Sequence, residues 1–387
     1  MSFPTAPMRS LLDKAHKAAL PKDDEEVWAL NLDQIEPHSG KVLAKVMVNA
    51  SEVGPSTYVF NKGTVLYCKL RPYLNKVVVA DDDGVATTEL VPLRCDESKV
   101  LPHYLAHFLR SATFLAFATN VVAGAKMPRM VMSEFWSYPV PLPPLEEQRR
   151  IAAILDQAET LRTQRRTALA LLDSLTQSLF LDMFGDPVAN PKGWQARELQ
   201  DAVKQDAIVT YGIVQAGEEF PGGTPYIRTG DIVDGSIRLS GLRHTDPKIA
   251  AKFARSRVEE NEIVMSIRAT VGTTALVPVE LSGANLTQGT ARIAPGADVH
   301  FQYLLYFLRS DATQQWIERQ VKGATFREIT LGRLRELPVL VPPLPLQQTF
   351  ATRMASIEAL KASHRHALAA LDALFASLQQ RAFAGRL

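Results

Sequence analysis

The chain has 387 residues, enough for two or three domains with sizeable cores, and its 46% hydrophobic and 22% charged residues make an ordinary globular composition. Its two cysteines, Cys68 and Cys95, lack a C-x-x-C partner, which argues against a disulfide framework or a zinc site and for a reducing cytoplasm. A formal net charge of +2 neither announces nor excludes nucleic acid, no apolar run approaches a membrane span, and the N-terminus lacks a signal pattern.

Residues 1–140 read as a first unit. A polar helical segment and a charged turn at Pro21–Glu26 open it. Strand-like runs follow at Val27–Leu32, Val42–Val48, Thr64–Leu70, Val77–Ala80 and Glu89–Leu93, punctuated by Gly40, Gly63 and the turn Asp81–Gly84. Pro102–Arg110 then predicts a helix with an apolar face, and a Gly-Ala loop runs from Gly124 to Arg129. Residues 141–185 begin with P-L-P-P-L-E-E-Q and continue as a long amphipathic helix that ends at Phe184-Gly185-Asp186-Pro187. Residues 186–339 repeat the plan, with strands near Pro225–Thr229, Ser236–Leu239, Glu262–Ile267 and Thr274–Pro278 before a helix at Tyr303–Ser310. Residues 340–387 carry a second proline-led segment and a C-terminal helix.

The two halves are copies. Pro144 and Pro343, Gln148 and Gln347, Leu172 and Leu371, and Ser178 and Ser377 are each separated by 199 residues. In the first copy, steps of three and four through Ile151, Ile154, Ala158, Leu161, Ala168, Leu172, Leu175 and Leu179 predict a heptad seam, with Arg165 at its polar middle. In the second the same positions hold Phe350, Ile357, Leu360, Ala367, Leu371, Leu374 and Leu378, with His364 as the polar member. Such a helix, about 31 residues and about 46 Å long, has nothing local to bury its stripe against, so the two are expected to pair antiparallel. A register whose residue numbers total 532 sets Arg165 against Ala367 and Ala168 against His364, with large residues meeting small ones.

The doubled P-L-P-P-L-E-E-Q (Pro141–Gln148) and V-P-P-L-P-L-Q (Val341–Gln347), each preceded by a Gly-Ala turn and leading into a long helix, resemble the specificity subunit of type I restriction-modification enzymes. So does K-L-R-P-Y-L-N-K at Lys69–Lys76. The resemblance covers essentially the whole chain. It implies an α+β protein with two tandem mixed α/β target recognition domains, separated by two long helices paired as an antiparallel coiled coil in a pseudo-twofold internal repeat. Each domain would read one half of a split, asymmetric double-stranded DNA site. The implied partners are two adenine-N6 methyltransferase (modification) subunits that use S-adenosylmethionine and a restriction/translocase subunit that uses ATP and Mg2+, with no cofactor on this chain.

No adenine-methyltransferase box, phosphate loop or dinucleotide turn appears in the sequence, so a non-catalytic reader is expected. His103 and His107 are one helical turn apart, but the H-E-x-x-H glutamate is missing and the copy holds Gln302 and Tyr306, so half-buried histidines are expected and no metal site. DNA contact needs cations for phosphates and forked donors for base edges. The first unit offers Arg71, Tyr73, Asn75 and Lys76 in a turn, with Lys126 and Arg129 in the Gly-Ala loop. The second offers Arg243, His244, Lys248, Lys252, Arg255 and Arg257, with Arg228 and Arg268 nearby in sequence and Lys322, Thr325 and Arg327 in the matching loop. The alternative readings are an assembly adaptor whose coils and globular domains bind only proteins, and a self-contained endonuclease.

Overall fold

The computed structural model describes residues 3–13, 25–54, 56–323 and 325–387; the expected opening helix and most of the Pro21–Glu26 turn lie outside these. The chain divides into two compact units, one formed by residues 1–167 with 365–387 and the other by residues 168–364. Among the described residues no helix is long and apolar enough to cross a membrane.

Unit 1 runs β1 (Thr5–Pro7), β2 (Glu26–Leu30), β3 (Met47–Asn49), β4 (Thr57–Phe60), β5 (Val65–Cys68), β6 (Val77–Val79), β7 (Gly84–Thr87), β8 (Leu90–Leu93), α1 (Pro102–Leu109), α2 (Ala112–Asn120), β9 (Val122–Ala123), β10 (Arg129–Met130), α3 (Met132–Ser137), β11 (Pro139–Pro141) and the first part of α4 (Leu145–Phe184). One sheet has the order β3-β2-β7-β4 and a second the order β6-β5-β8. All four residues of β5 are buried, because its alternating faces serve two cores. Val65 and Tyr67 pack with Leu105 and Phe108 of α1, while Leu66 and Cys68 pack with Trp28 and Phe60. The expected strand at 42–48 shrinks to β3, with Val42 making only an isolated bridge to Ile35. Gly84, expected in a turn, instead begins β7 in parallel with β2. A Cβ there would lie 2.5 Å from the Trp28 carbonyl oxygen and 2.7 Å from the Phe60 ring, so the strand can approach only through glycine.

Unit 2 takes the rest of α4 and then β12 (Gln195–Glu198), β13 (Thr210–Tyr211), β14 (Thr224–Ile227), β15 (Ile232–Val233), β16 (Ser236–Ile237), β17 (Arg243–Thr245), α5 (Pro247–Lys252), β18 (Ile263–Ser266), β19 (Thr274–Leu276), β20 (Asn285–Leu286), β21 (Thr290–Ile293), α6 (Phe301–Arg309), α7 (Asp311–Gln320), α8 (Leu331–Arg335), β22 (Pro338–Val341) and the first part of α9 (Leu344–Phe383). Its two larger sheets are ordered β13-β21-β18-β19 and β17-β14-β20. Here β18 divides its side chains as β5 does: Ile263 and Met265 join the helical core, and Val264 joins Ile227 and Leu286.

The repeated proline motif is a fastener. Buried Gln148 donates from Nε2 to the carbonyls of Lys99 (2.9 Å) and Pro143 (3.0 Å) and accepts from the Leu101 amide (2.9 Å). Gln347 bonds Asp298, Pro342 and His300 in the same pattern. Tyr104 and Tyr303 likewise donate to the Pro141 and Leu340 carbonyls. Each long helix is thereby tied to the start of α1 or α6, and the amide's polar atoms are satisfied where water does not reach.

α4 and α9 each span 40 residues, longer than expected. They run antiparallel within each unit: in unit 1 Arg150 bonds Leu387 and Arg162 bonds Asp372, and in unit 2 Asp173 meets Lys361 and Met183 meets Arg353. The seam differs from the expected one in alternate positions. Leu161, Leu175, Leu360 and Leu374 are 40–53% exposed. The covered stripe follows Ile151, Leu155, Ala158, Arg162, Arg165, Leu169, Leu172 and Thr176 on α4. On α9 it follows Phe350, Met354, Ile357, Lys361, His364, Leu368, Leu371 and Phe375. Ile154, Ala168 and Ala367 flank it, partly covered. The displacement has a physical cause, since long cations bury their stems when their heads find partners. Arg162 reaches Asp372 and the face of Phe375, and Lys361 reaches Asp173 and Thr176. The residue numbers of these contacts total 534 and 537, against the expected 532.

Candidate nucleic-acid interface

In unit 1 the chain leaves β5 and turns sharply, with Arg71 at φ 48° and Asn75 at φ 49° in the left-handed region. The Arg71 amide donates to the Pro128 carbonyl (2.7 Å), Met130 donates to Lys69 (2.8 Å), and Leu70 bridges Arg129. The turn and the Gly-Ala hairpin β9–β10 therefore lie side by side. Arg71, Tyr73, Lys126 and Met127 project from them into solvent. Arg129 is half-buried and gives its Nε (2.9 Å) and a terminal nitrogen (2.8 Å) to Glu89.

Two expected contacts turn inward. Asn75 is buried and its Nδ2 donates to the Arg110 carbonyl (3.1 Å), because the left-handed backbone at 75 directs the side chain under the turn. Lys76 spends its ammonium on the Leu32 carbonyl (2.6 Å). Both hold the turn rather than present donors outward.

Unit 2 builds the same junction from different side chains. Arg268 bridges Glu328, Ala269 takes the left-handed place at φ 58°, and its amide donates to the Arg327 carbonyl (3.0 Å). Arg268 Nε also lies 3.2 Å from a Glu328 carboxylate oxygen, and Arg327 pairs with Glu318. Lys322, Thr325, Phe326 and Arg327 are exposed, and Phe326 stands at 88%. Gly289 brings Thr229 beside this cluster: a Cβ there would meet the Thr229 methyl at 3.0 Å and Arg268 Cβ at 4.0 Å.

Most of the other candidate cations of unit 2 lie between residues 243 and 257. Arg243 and His244 both reach Glu219 (3.5 and 3.3 Å). Lys248, Lys252, Arg255 and Arg257 follow as exposed residues along α5 and the turn after it. Among the described residues no hydrogen bond joins this grouping to Arg268 or Arg327. Arg228, expected as a DNA contact, forks onto Asp231 at 2.9 and 2.8 Å, with the aspartate buried. Burial alone would raise the Asp231 carboxyl, but the bonds from Arg228 outweigh it and hold the group below its usual range.

His103 and His107 converge on one carboxylate. His107 Nε2 lies 2.7 Å and His103 Nδ1 3.0 Å from the two Asp156 oxygens. His107 is fully buried rather than half-buried, and burial lowers its basicity, whereas the bond to Asp156 raises that of His103. Burial pushes the thiols up, Cys68 to about 11 and Cys95 to about 12, which makes them inert. Sequence reasoning overlooked Met127 and Phe326. The available signal was one large apolar residue among small and charged neighbours at the same offset of 199.

The sequence profile of the type I restriction modification DNA specificity domain matches residues 51–170 and 191–372. The chain is 26% identical over 278 residues to the type I restriction enzyme EcoBI specificity subunit of Escherichia coli, covering 64% of this chain and 58% of that protein. To the EcoDI specificity subunit of Escherichia coli it is 31% identical over 176 residues, covering 44% and 39%. It thus spans less than two thirds of the length of these relatives. Among solved structures, the type I restriction-modification system S subunit from M. genitalium shares the fold, with a TM-score of 0.59, 13% identity and coverage of 99% of this chain and 96% of that one.

Proposed function

This chain belongs to the specificity subunits of type I restriction-modification systems, and from that premise we propose that its two units read the two parts of a split, asymmetric duplex DNA site. The observation that carries this reading is the repeated junction of turn and hairpin with unlike side chains: Arg71, Tyr73 and Lys126 in unit 1, Arg268, Thr325 and Arg327 in unit 2. One scaffold with two sets of donors suits two different half-sites. The two long helices would set the unread interval between them. Adenine-N6 methyltransferase subunits carrying S-adenosylmethionine dock on this chain in the proposed enzyme, and a restriction subunit brings ATP and Mg2+. This chain contributes recognition and no bond-making step.

The test combines the chain with adenine methyltransferase subunits and S-adenosylmethionine, then maps methylated adenines across a mixed-sequence DNA library. The expected result is methylation at one two-part sequence. Sequence-independent methylation, or none, would overturn the reading in favour of an assembly adaptor. Plasmid cleavage by the purified chain with Mg2+ alone would overturn the non-catalytic role.

A further inference from the structure

The loop between Lys322 and Glu328 has a feature that base-edge and phosphate contacts leave unused. Lys322 and Glu328 close it with two backbone hydrogen bonds (2.9 and 3.0 Å). Gly323 makes the closure possible. Its φ is 83°, and a Cβ there would fall 2.2 Å from the Phe326 carbonyl oxygen, so the loop doubles back tightly enough to thrust residue 326 outward. Phe326 is the most exposed large apolar side chain among the described residues. Burying such a ring is strongly favourable, so unit 2 leaves a substantial apolar gain unrealised at this tip.

The surroundings select the partner. Lys322 and Arg327 lie in the same loop as Phe326 and Arg268 is bridged to its far end at Glu328, and the pairing of Arg268 with Glu328 and of Arg327 with Glu318 offsets only part of this positive charge. A protein docking surface centred on an aromatic ring has further apolar neighbours to complete it, whereas the exposed residues of this loop besides Phe326 are Lys322, Gly323, Thr325 and Arg327. Cations at the rim and one apolar wedge at the tip match a duplex whose phosphates meet the rim while a base step opens to the wedge. The matching loop of unit 1 repeats the arrangement: Gly124 has φ 91° with its would-be Cβ 3.1 Å from the Met127 carbonyl, and Met127 is 46% exposed between Lys126 and Arg129.

We propose that Phe326, and Met127 in the other unit, are stacking wedges that enter the DNA between base pairs and unstack one step in each half-site. This rests on the DNA-reading role above and deepens it. Part of the selectivity then comes from how easily a step opens, at positions that no side chain addresses by hydrogen bonds.

The experiment uses the chain assembled with its methyltransferase subunits and duplexes carrying the mapped site, with 2-aminopurine placed at successive positions. With the parent complex one position in the unit 2 half-site brightens several-fold. With Phe326→Ala that position stays at the free-duplex level and affinity falls about tenfold, the usual scale for losing one stacked base. Phe326→Leu retains part of the signal, and Met127→Ala acts at a different position. If no position distinguishes Phe326→Ala from the parent while the complex still methylates its site, the wedge is overturned and the DNA-reading role stands. If Phe326→Ala instead weakens subunit assembly without DNA, the ring is a protein contact and the wedge is equally overturned. A parent complex that selects no sequence removes the reading beneath both.

Discussion

Lys361 stands in unit 2 where Arg162 stands in unit 1. Arg162 Nε lies 2.6 Å from Asp372 and Lys361 Nζ 2.8 Å from Asp173, and each cation also pairs with the acidic residue one turn before it, Glu159 or Glu358. The Lys361 side chain is 6% exposed while those of Asp173 and Glu358 are 68% and 43% exposed, so the two sides of the pair are not equivalent. Removing both carboxylates, as Asp173→Ala with Glu358→Ala, strands a buried ammonium and is expected to cost about 3 kcal/mol. Lys361→Met leaves only solvated carboxylates and stays within about 1 kcal/mol of the parent. Urea denaturation of the variants checks the order; equal losses would show that the pair is symmetric.

The glutamine fasteners give a paired prediction. Gln148→Ala or Gln347→Ala leaves one buried amide N–H and two carbonyls unsatisfied, for a loss of about 2 to 4 kcal/mol. Gln148→Glu keeps the acceptor but loses the donors, so it does not restore stability at neutral pH. Thermal unfolding reports both.

Stability should depend on pH through the two histidines with opposite signs. His107 is less basic folded than unfolded, so its neutral form favours the fold. Its contribution is present above the unfolded value of about 6.5 and fades as pH falls through it, because the unfolded chain then binds more protons. His103 is more basic folded, so its contribution is full below about 6.5 and is lost as pH rises through the folded value. Between pH 7.5 and 5, His107→Gln should lose less stability than the parent and His103→Gln more. Equal changes in unfolding free energy for parent and variants between the two pH values, read by chemical denaturation, would refute the assignment.

Arg71→Ala and Arg268→Ala should each relax selection at a different part of the DNA site. The discrimination lost is about 1 to 3 kcal/mol where a forked base contact disappears. Competition binding against single-base variants reads this out. Uniform weakening across all sequences, with a shallower dependence on salt, would mark the residue as a phosphate contact instead.

The duplication and the two long helices were legible because an offset of 199 recurs from Thr88 and Thr287 to the paired helices. The seam was legible only by halves. Apolar periodicity favours Leu161 and Leu175 over Arg162 and Thr176, yet a long cation next to a carboxylate and a ring is covered more completely than its leucine neighbour. In the candidate interface, exposure decided the outcome. Asn75, Lys76 and Arg228 have the chemistry of DNA readers, but a left-handed backbone, a nearby carbonyl and a buried aspartate claim them. None of these local partners is visible in residue type. Phe326 was missed for the converse reason, since a lone phenylalanine reads as core until its loop is seen to point it outward.

Unit 1 owns both early residues and residues 365–387, where Phe383 packs 5.5 Å from Tyr104 and 5.3 Å from Phe108. On the ribosome, the half that is made first is therefore the half that finishes last. A nascent chain stalled in α9 between residues 364 and 375 would hold every residue of unit 2 while the aromatic core of unit 1 still lacked Phe375 and Phe383, a half-closed surface open to aggregation.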